Sequence, residues 1–254
     1  MLARREVMKV AAGLPLATVL AEPRLAAAAA AGLEAITVTW PDGRKLQAAL
    51  AHPVRQPAPT LVLVHEWWGL NNQIKAAAAE FGKEGYLALA IDLYDGKVAE
   101  TPDAAQALMR GVEPETATKT MSFWGDWLAQ HEAGNRKVGI AGWCFGGGMA
   151  LLGSINRPMD ATVVYYGNVK RPVEELRRLK GPVLGHFATR DQWINREMVT
   201  GFEAAMKEAG KPFENHWYEA DHAFANPTVA RYNEPAAQLS WSRTFAFLGK
   251  HLSG

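Results

Sequence analysis

A chain of 254 residues, 48% apolar and 21% charged, is long enough to bury one substantial core. Its 27 lysines and arginines nearly balance 26 aspartates and glutamates, so no strong field gathers phosphate backbones or anionic headgroups. Nucleic acid and stable membrane insertion are therefore not expected, and the single cysteine, Cys144, rules out an internal disulfide or a cysteine-rich metal cage.

Residues 1–31 read as an export leader. Arg4, Arg5 and Lys9 precede an apolar run from Val10 to Leu20, and an alanine tract from Ala26 to Ala31 offers small-x-small cleavage sites. The run Arg4-Arg5-Glu6-Val7-Met8-Lys9 resembles the twin-arginine consensus, so the expected partner is the export machinery and the expected destination a bacterial periplasm. The competing reading is an N-terminal helix packed on the domain. Residues 32–254 are then expected to form one domain.

That domain opens with a hairpin, Ala35 to Trp40 returning through Leu46 to His52 across the Pro41-Asp42-Gly43 turn. Thr60 to Val64 is apolar throughout, as a strand covered on both faces should be. Similar runs follow at Leu87–Ile91, Val138–Ala141, Ala161–Tyr165 and Val183–Phe187, separated by helical patterns such as Ile74–Lys83, Ala104–Met109 and Met198–Ala209. Phe213 to Tyr218 predicts a last strand, and Pro235 to Leu252 a closing helix with its apolar face at Leu239, Phe245 and Leu248. The alternation predicts an α/β fold on a mostly parallel central sheet, with helices on both faces and an N-terminal antiparallel hairpin.

Ligands of such sheets gather at the carboxyl ends of the strands. Four reactive side chains fall there: Glu66 after Val64, Cys144 after Ala141, Asp191 after Phe187 and His222 after Tyr218. Gly142-Trp143-Cys144-Phe145-Gly146 has the Gly-x-nucleophile-x-Gly form of a nucleophile elbow, with cysteine in the place of serine. A helix N-terminus following it would favour a thiolate and the oxyanion of acyl transfer. A thiol nucleophile needs a histidine to handle protons and an acid to orient it, and the order Cys144, Asp191, His222 supplies both. Asp160 precedes a strand, at the wrong end of the sheet, and Asp221 adjoins His222 in sequence. His52, His131 and His251 read as solvated, and His65, His186 and His216 as satisfied residues in or beside strands. No His-Glu-x-x-His occurs, and neither a metal nor a cofactor is expected.

These residues resemble the dienelactone hydrolase family from about Thr60 to Leu248. The landmarks are His65-Glu66-Trp67-Trp68-Gly69, Asp92-Leu93-Tyr94, the elbow, Tyr165-Tyr166-Gly167, Asp191, and His216 through Phe224. The resemblance implies an α/β-hydrolase fold and a cysteine hydrolase of small-molecule esters or lactones, with carboxymethylenebutenolidase-type chemistry. It further implies that Glu66 helps deprotonate the thiol, and that the backbone N–H groups of Trp67 and Phe145 form the oxyanion hole. Tyr94, Trp67, Trp143 and Phe224 are expected to line a mainly apolar substrate pocket, with core packing as the competing reading.

The family's best-known members carry two arginines that receive a substrate carboxylate, where this chain has Asp95-Gly96-Lys97 and Ala225-Asn226-Pro227. Neither lysine nor asparagine reproduces a bidentate clamp, which disfavours dienelactone itself as substrate. The alternative on the same fold is a non-catalytic or redox-responsive periplasmic binding protein.

Overall fold

The computed structural model describes residues 16–253, so the Arg4–Lys9 run lies outside the described residues. The strands are β1 (Glu34–Thr39), β2 (Lys45–Ala51), β3 (Ala58–Val64), β4 (Leu87–Ile91), β5 (Gly134–Trp143), β6 (Ala161–Tyr165), β7 (Val183–Ala188) and β8 (Phe213–Tyr218). They form one sheet in the order β1-β2-β4-β3-β5-β6-β7-β8. The β1–β2 and β2–β4 pairs are antiparallel, and every pair from β4 onward is parallel. The expected hairpin thus joins the parallel sheet through β2.

The helices are α1 (Leu16–Ala21), α2 (Pro23–Ala30), α3 (Asn72–Lys83), α4 (Pro102–Arg110), α5 (Pro114–Gln130), α6 (Phe145–Asn156), α7 (Val173–Leu176), α8 (Arg196–Glu208) and α9 (Glu234–Leu252). Polar side chains start several of them: Asn71, Thr101, Asn195 and Asn233 each accept the backbone N–H three residues on. Period-two alternation divides the sheet residues between its faces. Leu61 and Leu63 meet Ile74 and Phe81 of α3 and Trp241 and Leu248 of α9, while Val62 and Val64 meet Met121, Trp124 and Leu128 of α5. A third cluster joins Val164, Val183 and Phe187 to Leu151, Val199 and Phe202, closing the sheet under α6 and α8. Each fully buried side chain of this size contributes roughly 1.5–3 kcal/mol, enough in sum to oppose the chain entropy lost on ordering.

One expectation changes here. Leu239 is 47% exposed, and α9 instead buries Ala237, Ser240, Trp241, Thr244, Phe247 and Leu248. Nine residues separate Leu239 from Leu248, two and a half turns, so the two cannot share a face. At the N-terminus, helices form within the segment read as a leader. Val19, Leu20 and Ala26 are buried, α1 and α2 pack against α3, and α1 also touches α9. Among the described residues no helix is long and apolar enough to cross a membrane.

Candidate active site

The central strand β5 ends at Trp143, and α6 begins at Phe145, leaving Cys144 alone at the bend. Its backbone, at φ 54° and ψ −117°, lies in a region that L-residues avoid, and such strain persists only where surrounding structure imposes it. Cys144 N–H donates to Tyr165 O at 3.0 Å, and Cys144 O accepts from Gly147 N–H at 3.0 Å. Glycines permit the fold-back: a Cβ on Gly146 would overlap the carbonyls of Val64 and His65, and one on Gly142 would overlap Gly146. The bend therefore lies hard against the end of β3, where Glu66 begins the next loop.

Loops after β7 and β8 bring the remaining groups to this rim. Backbone bonds from Thr189 to Tyr218 and from Arg190 to Ala220 tie the two loops together. His222 Nδ1 donates to Asp191 Oδ2 at 2.6 Å, which leaves Nε2 as acceptor for the Cys144 thiol at 3.2 Å. The other carboxylate oxygen of Asp191 accepts the amides of Trp193 and Ile194, at 2.9 and 3.0 Å. Burial raises the Asp191 pKa, but the bonds from His222, Ile194 and Trp193 outweigh it and hold the carboxyl below its usual range. Asp160 accepts from Val138 N–H and Lys180 at the opposite end of the sheet, and Asp221 pairs with Arg190. Neither meets His222.

Glu66 is buried beside this trio. Tyr166 donates to Oε1 at 3.2 Å and Asn226 to Oε2 at 2.6 Å, so both oxygens are engaged and the thiol's partner is His222. Desolvation raises the Glu66 pKa against the pull of those donors. Cys144 is only partly exposed, and burial together with the Glu66 charge pushes its thiol up to about 12, although the Phe145 amide pulls it down. The helix N-terminus is thus outweighed in the resting site. Removing the carboxylate charge lowers the thiol pKa, so Glu66→Gln is expected to move the pH midpoint of iodoacetamide alkylation of Cys144 downward. An unchanged or higher midpoint would sever the two groups.

The expected pocket residues separate. Trp143 is 4% exposed and stacks on Tyr165 and Trp241, with centroids at 5.4 and 5.7 Å. Phe224 is fully buried against Tyr166 and Tyr218. Both are core residues, a correction with a simple cause: alternation along β5 turns Trp143 to the same face as Ala141 and away from the bend. Tyr94 is also buried, held by a turn in which Asp92 accepts its amide at 2.9 Å, and its ring packs against His65 and Phe145. Trp67 remains partly exposed beside Glu66, and Lys97 is exposed. His65 is buried and neutral, its Nε2 accepting from Leu93 N–H and its Nδ1 donating to Glu66 O.

Four neighbours of the trio went unassigned from sequence: Tyr166, Asn226, Trp193 and Arg231. Tyr166 lies in the Tyr165-Tyr166-Gly167 run, and Asn226 stands in the stretch where the family carries an arginine. Trp193 is 63% exposed, its ring edge-on to His222 with centroids 5.3 Å apart, and the Arg231 guanidinium lies 5.5 Å from its centroid.

A mostly parallel sheet whose central strand ends in a strained elbow, with an acid and a histidine arriving from later strand ends, defines the α/β-hydrolases. The family model of the dienelactone hydrolase family matches residues 46–252, and the chain belongs to that family. It is 27% identical over 230 residues to the carboxymethylenebutenolidase of Pseudomonas putida, covering 85% of this chain and 95% of that one. A Saccharolobus solfataricus protein provisionally named for the same activity is 30% identical over 245 residues, covering 82% and 95%. The solved structure of a provisionally named dienelactone hydrolase from Klebsiella pneumoniae superposes with a TM-score of 0.77 at 27% identity, covering 86% and 99%.

Proposed function

We propose that the chain hydrolyses esters or lactones in two acyl-transfer steps through Cys144. The observation that carries this reading is the His222 ring, bonded through one nitrogen to Asp191 and through the other to the sulfur. Family membership and the carboxymethylenebutenolidase relatives support it.

In the first step the thiol proton passes to His222 Nε2 and the sulfur attacks the carbonyl carbon. The carbonyl π pair moves onto oxygen, which the amides of Trp67 and Phe145 receive. Collapse of the tetrahedral intermediate breaks the bond to the leaving oxygen, and Nε2 returns its proton there, giving an acyl thioester. In the second step water yields a proton to Nε2 and attacks the thioester; expulsion of the sulfur restores the thiol and releases the acid. Asp191 keeps Nδ1 protonated throughout. Glu66, next to the sulfur yet held by Tyr166 and Asn226, places a negative charge there that opposes the free thiolate at rest, so proton loss is coupled to attack through His222.

A thiol kept protonated at rest argues against the redox-responsive alternative, because oxidation proceeds through the thiolate. The test is turnover of small aryl esters and lactones by the protein and by its Cys144→Ala variant. For residues 1–31, the proposed role remains export to a bacterial periplasm, resting on the twin-arginine-like run and alanine tract alone. Recovery in the periplasmic fraction of a chain beginning near residue 31 is expected, and retention of the whole leader in the cytoplasm would count against it.

A further inference from the structure

We propose that Trp193 and Arg231 form the leaving-group subsite, selecting a flat aromatic leaving group and, through the guanidinium, one that carries a negative charge. The inference rests on the acyl-transfer reading above and specifies which half of the substrate lies where.

The placement follows from His222. Its Nε2 hands the proton to the departing oxygen, so the group attached to that oxygen must lie on the open side of the imidazole. The exposed ring that lies against this imidazole is the Trp193 indole, T-shaped to it with centroids 5.3 Å apart and 63% exposed. Its backbone is anchored beside His222, and the Arg231 guanidinium covers its ring. Asp191 Oδ2 holds His222 while Oδ1 holds the Trp193 amide, so one carboxylate sets the position of the proton donor and of the aromatic platform together.

Arg231 adds charge to the platform. Its guanidinium rests 5.5 Å from the indole centroid, within cation–π range, and among the described residues it forms no salt bridge. Its field reaches the sulfur and Glu66, on each of which it favours the anion. An unpaired cation held over the face of this exposed ring is suited to an anionic substituent on a leaving group stacked beside it. Arg231 comes from the segment before α9, five residues beyond Asn226, whose amide is already bonded to Glu66.

The experiment compares three acetates with a common acyl group: phenyl acetate, hexafluoroisopropyl acetate, whose leaving group is of similar acidity but not flat, and 4-acetoxybenzoate. Trp193→Ala is expected to lower kcat/KM for phenyl acetate about tenfold, mainly through KM, and to change hexafluoroisopropyl acetate by less than about twofold. Arg231→Gln is expected to remove a preference for 4-acetoxybenzoate over phenyl acetate, a preference that added salt should also erase. Equal losses on phenyl and hexafluoroisopropyl acetate in Trp193→Ala would reduce Trp193 to a support for His222 and overturn the aromatic subsite. No preference of the unaltered protein for 4-acetoxybenzoate, or one that survives in Arg231→Gln, would overturn the anionic part. Failure of the unaltered protein to turn over any of the three is a different result, and it would fall on the acyl-transfer reading itself.

Discussion

Cys144→Ala is expected to lower kcat/KM for small aryl esters by at least about 10⁴-fold while leaving the melting temperature within a few degrees. The loss is this large because no other group can take the sulfur's place. Glu66 has both oxygens engaged, and His222 would have only water to activate across the space the sulfur leaves. Stability should change little, because the thiol is partly exposed and alanine meets the same backbone strain at φ 54° as cysteine does. A second readout removes ambiguity: a slowly deacylating ester quenched in acid should add one acyl mass to the protein and none to the variant. Hydrolysis by Cys144→Ala at near the original rate would end the proposed mechanism.

Gly146→Ala is expected to cost the fold itself. The added methyl would overlap two backbone carbonyls at the end of β3, and a backbone at the centre of a sheet cannot yield as a flexible side chain can. Overpacking of this kind costs about 3 kcal/mol or more, which for a chain of this size lowers the melting temperature by at least about 6 °C or leaves it insoluble. Gly201→Ala is the internal control. That glycine lies on α8 with nothing near its absent Cβ, and alanine there should hold or raise the melting temperature. Equal melts for Gly146→Ala and the unaltered chain would mean that the elbow is looser than its geometry.

Much of the frame was legible in the sequence, for reasons that differ by element. β4 and β6 are almost wholly apolar, β8 keeps aromatic residues at both ends, and the predicted ends of all three are the observed ones. The elbow was legible because so few residues tolerate that bend. Helix α5, seventeen residues long, went unread because threonines and Gly125 dilute its pattern, although Ala117, Met121, Trp124 and Leu128 recur at helical spacing on its buried face. β5 begins four residues before the predicted Val138 because its first residues, Gly134 to Lys137, are largely polar.

At the site, the order of Cys144, Asp191 and His222 could be read along the chain because each follows a strand. What surrounds them could not. Tyr166 reaches Glu66 across 100 positions and Asn226 reaches it across 160, contacts made by loop conformations that no local pattern encodes. Trp193 lies two residues from Asp191, yet its relation to His222 depends on a carboxylate bonding in two directions. Aromatic side chains near a nucleophile were read as pocket walls, and strand alternation decided otherwise for Trp143.

The packing of α1 and α2 gives the proposed maturation an energetic direction. Were a peptidase to cut within the alanine tract, Val19, Leu20 and Ala26 would depart and bare the apolar patch they now shield on α3 and α9. The trimmed enzyme would hold less buried surface than its precursor, so excision would spend part of the stability gained before translocation, and no refolding could restore it.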